Sequence, residues 1–295
     1  MIKKSTLLHL RVPFSFFLLP VYLFALSLSP SAPIFNVVVV LVIIHFFLYP
    51  ASNGFNSYFD KDTGSIGGLE KPPEVSKELY NVSLLFDLVA LFLGFLINWQ
   101  FVIMMLIYGA ISKAYSHPMI RLKKWAFTGW FMAGLFQGFF TFIMVYIGIN
   151  KISVHEVAPG QVYFAAFLCS VLLWGSYPMT QIYQHEEDSG RGDYTLSFKL
   201  GILGTFYFTA GAFILADLGF LYFYLTYYSD SFAILFQAFI VPMILFFAYW
   251  YYQVLKNPNA ANYRNTMRLN TISAVCLNIF FLIMFILHSF ERLPY

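Results

Sequence analysis

Nine apolar runs, at approximately 12–29, 35–56, 80–97, 99–116, 126–148, 161–183, 201–226, 231–254 and 269–290, recur along this chain of 295 residues. Crossing a hydrocarbon core of about 30 Å takes roughly 17 to 25 apolar residues per helix. Only helices and closed barrels satisfy their backbone groups there. The expected fold is therefore an all-α integral membrane protein with nine transmembrane helices. The composition agrees: mean hydropathy is +0.70, and charged residues make up 11%, against about 25% in soluble domains. Met1 to Arg11 runs into the first apolar stretch with no small-residue cleavage site after it, so that stretch reads as a span rather than a removable leader. Only Asn98, Trp99 and Gln100 separate the third and fourth runs, which predicts a tight antiparallel hairpin. Cys169 and Cys276 lie in apolar runs and read as small apolar fillers.

Lysine and arginine set the orientation, being retained on the cytoplasmic side. With the N-terminus inside, fifteen fall inside, from Lys3, Lys4 and Arg11 to Lys256, Arg264 and Arg268; Lys151 and Arg292 fall outside. The expected topology is multi-pass with a cytoplasmic N-terminus and an external C-terminus. The absence of a transit-like leader favours a cell inner (plasma) membrane.

The polar residues follow an internal template. Tyr49, Pro50, Ser52, Asn53, Asn56, Asp60 and Gly64 align with Tyr177, Pro178, Thr180, Gln181, Gln184, Asp188 and Gly192 at a constant offset of 128. On a helix, Asn53, Asn56 and Asp60 share one face. The chain thus reads as a single polytopic domain, residues 1–295, with two pseudo-repeated four-helix units at about 12–124 and 126–254. A ninth helix, 269–290, is added to them. A parallel repeat places both polar faces at one side, converging on a central cavity.

Nine of the fourteen acids sit in the loops after the second and sixth runs: Asp60, Asp62, Glu70, Glu74, Glu78, Glu186, Glu187, Asp188 and Asp193. Acids at helix ends commonly serve interfacial solvation, and Glu70, Glu74, Glu78 and Asp193 read that way. Asp60 and Asp188 are different, since each closes a face begun by amides inside a helix, where polar groups are costly and functional. Two carboxylate clusters at the mouth of a cavity suit Mg²⁺ ions that bridge to a diphosphate. Asp60 and Asp188 are the leading ligand candidates, with Asn56 and Gln184 as carbonyl ligands or orienting groups. Lys71, Arg121, Lys123, Lys124, Arg191 and Lys199 lie on the same side for phosphate charge, although Lys123 and Lys124 read equally as topology signals. Pro50 and Pro178 are expected to kink their helices. His45 and His288 read as packed histidines, and Asp87 and Asp217 as candidate internal hydrogen-bond partners. The 36 phenylalanines and 21 tyrosines read as lipid-facing and packing groups, with a subset lining the cavity placed to face a carbocation.

These residues resemble the UbiA superfamily of intramembrane prenyltransferases. Asn56-Ser57-Tyr58-Phe59-Asp60-Lys61-Asp62-Thr63-Gly64 is similar to its N-D-x-x-D-x-x-x-D motif, and Lys71-Pro72-Pro73 and Ser76 follow as in the family. Tyr115 to Lys124 resembles the tyrosine, proline and L-K-R stretch after its fourth helix. Gln184 to Asp188, then Gly192-Asp193-Tyr194-Thr195-Leu196, echoes its second motif, and Arg11-Val12-Pro13 also fits. Ser57, Gly64 and Gln184 stand where acids are usual, with Asp62 and Glu187 as nearby carboxylates.

The resemblance implies transfer of a prenyl chain from a polyprenyl diphosphate to an aromatic or other lipophilic acceptor, with Mg²⁺ as cofactor. It implies catalytic roles for Asn56, Asp60 and Asp188, and metal ligation by Asn56, Asp60, Asp62, Gln184, Glu187 and Asp188. Diphosphate binding then falls to Lys71, Tyr115, Arg121, Lys123 and Arg191. Membrane lipids are the surrounding partners; neither nucleic acid nor an obligate protein partner is expected. Two other readings stand beside it. One is a cation-coupled carrier, although both acidic faces emerge at one side rather than at the midplane. The other is a non-catalytic relative that binds prenyl lipid.

Overall fold

The computed structural model describes residues 2–157 and 160–291, with side chains to 287. The side chain of His288 and all of Arg292 lie outside the described residues. Helices occupy all nine apolar stretches: α1 (Lys4–Ser27), α2 (Ile34–Asp60), α3 (Leu79–Gly94), α4 (Trp99–Ser116), α5 (Ala126–Asn150), α6 (Gln161–Gln181), α8 (Leu196–Tyr227), α9 (Asp230–Lys256) and α10 (Tyr263–Glu291). A short helix, α7 (His185–Gly190), lies between α6 and α8. Among the described residues, seven of these helices are long and apolar enough to cross a membrane; α3 and α4 are not among them. At 1.5 Å per residue, the 16 residues of α3 reach only about 24 Å. The chain is an integral, multi-pass membrane protein.

Several helices are broken where the sequence dictates. α1 begins earlier than the apolar run suggests and is interrupted at Arg11, which takes the left-handed conformation (φ 48°) ahead of a 3₁₀ segment, Val12–Leu18. Pro13 has no amide hydrogen and disfavours helix for the residue before it, which enforces the break. In α2 a π-helical turn, Ile43–Leu48, precedes Pro50, so the ladder slips by one residue where the proline cannot donate. Pro178 sits instead one turn before the end of α6, so the aligned prolines deform their helices differently. A second π-helical turn, Leu135–Phe140, interrupts α5. There the Ser170 hydroxyl of α6 accepts from the Phe139 amide (2.8 Å) and donates to the Gly134 carbonyl (2.9 Å). A Cβ on Gly138 would lie 2.6 Å from the Ser170 backbone, so this crossing requires glycine. The hairpin between α3 and α4 forms as expected, with the Asn98 side chain accepting from the Phe101 amide (2.8 Å) as helix cap.

Packing is aromatic at the centre. Phe24 of α1 stacks on Phe281 of α10 (4.5 Å between ring centres), and Phe220 of α8 on Phe236 of α9 (4.8 Å). Such pairs contribute about 0.5–1.5 kcal/mol beyond area burial; in lipid, contact rather than water exclusion drives helix association. α8 and α9 turn Ile214, Leu218, Ile234 and Leu245 outward as lipid-facing groups. His45 is buried edge-on between Tyr22 and Tyr49. Asp87 pairs with Lys113 across the α3–α4 hairpin, and Asp217 accepts from the Gln237 amide (2.7 Å), so both acids are internal partners. Both cysteines are free.

Candidate active site

The two polar stretches meet. α2 ends at Asp60 because Lys61 adopts the left-handed conformation (φ 51°) and its amide donates to the Ser57 carbonyl (3.0 Å), turning the chain into the loop that carries Asp62. α6 ends at Gln181, and α7 presents Asp188 and brings Arg191 after it. A parallel bridge pairs Tyr194–Thr195 with Trp125–Ala126 and fixes the chain after α7 against the start of α5. A cavity of about 220 Å³ lies between them, and Asn56, Asp60, Asp62, Gln184 and Asp188 all line it.

Its charged groups form a mesh. Lys123 pairs with Asp60 and lies 3.6 Å from Asp193. Arg191 pairs with Asp62, reaches Asp188 at 2.7 Å and lies 3.7 Å from Asp193. Arg121 stands behind, forked on Asp193 (2.7 and 2.8 Å) and 3.6 Å from Asp60. Four carboxylates thus face three cations, and Arg11 lines the same cavity. The Arg11 guanidinium donates to the Gly67 and Asn53 carbonyls (3.1 and 3.2 Å) and faces the Phe14 ring. Burial raises the Asp188 carboxyl to about 6 against the pull of Arg191 and Lys123. Burial and neighbouring Asp60 also raise Asp62. Asp193 is pushed up by burial, but the Arg121 hydrogen bond and nearby cations bring it below the ordinary carboxylate range. Burial disfavours charged Arg191, yet Asp62 and Asp60 more than offset this and hold it more strongly protonated than usual.

The amides and tyrosines orient. The Ser116 hydroxyl donates to Asn56 Oδ1, and the Gln184 amide donates to the Ser65 carbonyl (3.1 Å). Tyr115 and Tyr177 share a hydrogen bond between their hydroxyls. A second cavity of about 210 Å³ shares Ser52, Asn53, Tyr108, Gln137, Tyr177 and Thr180 with the first, and continues between apolar walls from Val21 and Leu172 to Leu277 and Phe281.

Five expectations are corrected. Lys71 is exposed and does not line the cavity, because the loop after α2 turns its proline-flanked end outward. Lys124 and Lys199 are exposed as well, with Lys199 over the Phe127 ring. Glu187 turns away from the cavity: its Oε1 accepts from the Thr63 and Gly64 amides (2.7 and 2.9 Å) and from the Thr63 hydroxyl (3.1 Å). Asp193 is not a solvating residue but the buried hub of the mesh, at 1% exposure. The intended ligand set is also not gathered around a point, because Lys123 and Arg191 stand between its carboxylates; among the described residues no three acidic, histidine or cysteine side chains converge as a cation site. Sequence reasoning read Asp193 as interfacial solvation and Arg11 only as a topology signal and part of the resemblance, and gave neither a place in the site. The signal for both was present: a charged residue beside a helix-breaking Pro13, and an acid two residues after Arg191.

Residues 17–272 match the sequence profile of the UbiA prenyltransferase family. No curated protein sequence matches the chain. The fold is similar to that of a UbiA homolog from Archaeoglobus fulgidus bound to DMAPP and Mg²⁺, at 18% identity and TM-score 0.67, covering 96% of this chain and 99% of that one. The same homolog bound to GPP and Mg²⁺ gives a TM-score of 0.66 at the same identity and coverage. A structure of digeranylgeranylglyceryl phosphate synthase is similar at 20% identity and TM-score 0.58, covering 96% and 97%. Through the match over residues 17–272, and with two acidic stretches joined across one cavity in that fold, this chain belongs to the UbiA prenyltransferase family.

Proposed function

We propose that this protein transfers a prenyl chain from a polyprenyl diphosphate to a lipophilic acceptor, releasing diphosphate with the help of Mg²⁺. The observation that carries this is the meeting of Asp60 and Asp188 in one charged cavity whose floor opens into an apolar one. The similar structures that hold GPP or DMAPP together with Mg²⁺ support the same substrate class and cofactor.

The donors present fit Mg²⁺, which takes hard oxygen ligands and completes its shell with water and phosphate. Asp60, Asp62 and Asp188 would hold it, with the amide oxygens of Asn56 and Gln184, once Lys123 and Arg191, which stand between these carboxylates, turn to phosphate. When bound, the ion supplies Lewis-acid stabilisation of charge on the departing diphosphate. Lys123 and Arg191 would then exchange their carboxylate partners for phosphate oxygens, Arg11 adds a third cation, and Arg121, which does not line the cavity, holds Asp193 from behind. Fixed charges aimed at the leaving group lower the barrier in a site from which water is excluded. The apolar cavity takes the hydrocarbon tail, and the rings of Phe14 and Tyr108, which line both cavities, are placed to face the allylic carbon. No nucleophilic side chain is required.

In this reading the helices form nine spans in two parallel repeated units, with the site on the cytoplasmic side of a cell inner membrane. The test gives purified protein labelled farnesyl or geranylgeranyl diphosphate, Mg²⁺ and a panel of aromatic acceptors, beside Asp60→Asn and Asp188→Asn. Mg²⁺-dependent diphosphate release, lost in both variants, is expected. Tight binding without turnover identifies a non-catalytic relative, and ion flux in liposomes without lipid chemistry a carrier.

A further inference from the structure

We infer that Glu187 is a positioning residue: it grips the backbone of the opposite loop and thereby holds Asp62 at the cavity. Only the consequence for metal use rests on the transferase reading; the grip itself is independent of it. One carboxylate oxygen, Oε1, takes three donors from a loop 123 to 124 residues away, namely the Thr63 amide (2.7 Å), the Gly64 amide (2.9 Å) and the Thr63 hydroxyl (3.1 Å). Hydrogen bonds to an ionised acceptor are the stronger kind. The Thr63 amide directly follows Asp62, so fixing it fixes the carboxylate before it. The same loops are tied again by the Asp62–Arg191 pair and by Gln184 on the Ser65 carbonyl. Three links from three side chains close the two acidic loops into one rim.

Gly64 completes the case. It stands where the first motif has its last acid, and a Cβ there would lie 2.9 Å from Glu187 Oε2. An aspartate side chain there would meet the end of the Glu187 side chain, so that carboxylate would have to give up its present place. Gly64 and Glu187 therefore form a matched pair: the glycine admits the glutamate, and the glutamate binds the glycine's own amide.

The test uses the full-length protein in detergent, with amide hydrogen exchange on the metal-free state and diphosphate release from geranylgeranyl diphosphate against Mg²⁺ concentration. Glu187→Ala is expected to remove exchange protection at Thr63 and Gly64. It also raises the Mg²⁺ needed for half-maximal release by roughly 10-fold, the scale of losing a group that orients a ligand, with kcat at saturating Mg²⁺ unchanged. Glu187→Gln keeps an oxygen that accepts the same bonds, more weakly without the charge, and falls between Glu187→Ala and wild type. Gly64→Asp is impaired alone and relieved when combined with Glu187→Ala, a coupling that independent sites would not show. The inference is overturned if Glu187→Gln is as damaging as Glu187→Ala, which would make the charge itself the ligand, or if exchange at Thr63 and Gly64 is unchanged in Glu187→Ala. Should the wild type release no diphosphate, the transferase reading fails and the exchange measurement alone decides the role of Glu187.

Discussion

Asp188→Asn is expected to abolish diphosphate release and yet stabilise the metal-free protein at neutral pH. Burial lifts the Asp188 carboxyl from 3.8 to about 6, even with Arg191 at 2.7 Å. A shift of about 2 units at 1.36 kcal/mol each corresponds to ~3 kcal/mol held against the folded state once the group is ionised. The sign follows from the direction of the shift. The folded chain holds this proton more tightly than the unfolded one, so wild type is without this cost below about pH 4 and loses stability as pH rises through 6. Asparagine carries no such charge, while Arg191 keeps Asp62 as a partner. At roughly 2 °C per kcal/mol for a large chain, the variant should melt up to about 6 °C higher at pH 7.5. Thermal unfolding in detergent with chelator, followed at pH 7.5 and at pH 4, gives the comparison. A variant that melts lower than wild type at pH 7.5, or a gap that does not shrink on acidification, refutes the reasoning.

Other outcomes follow from the same geometry. Asp193→Ala leaves Arg121 without its forked partner in a buried site and should cost about 3–5 kcal/mol, read as a lowered melting temperature. Arg191→Ala should lower kcat for diphosphate release by about 10²-fold or more, whereas Lys71→Ala should leave it unaltered; equal losses in the two would return Lys71 to the site. Ser170→Ala strands the Phe139 amide at the α5 π turn and should destabilise by about 1–3 kcal/mol with little change in KM, measured by melting and steady-state kinetics.

The helices were legible because apolar length alone specifies them, and the mere three residues from Asn98 to Gln100 between the third and fourth runs marked the hairpin of α3 and α4. The convergence of Asp60 and Asp188 was legible from the repeated spacing of amides and acids. Partner choice within the site was not. Spacing places Glu187 one residue from Asp188 and on the same loop, but a change of one residue on a short helix rotates a side chain by about 100°, enough to turn it from the cavity to the neighbouring loop. Lys71 and Arg191 look equivalent as loop cations, and only the path of the backbone separates them. The place of Arg11 in the site stayed unread because it depends on a break in α1, which Pro13 hints at but does not aim.

The mesh of aspartates with lysine and arginine has a consequence for how the site fills. Counting Arg11, the four acids are matched by four bases, so the charges of the site are balanced and each group already has company. If the proposed transferase function holds, a divalent ion binding alone would strand positive charge among these bases and a diphosphate alone the opposite sign, whereas the two bound together would keep the net charge of the site nearly constant, which makes joint binding the route of least electrostatic cost.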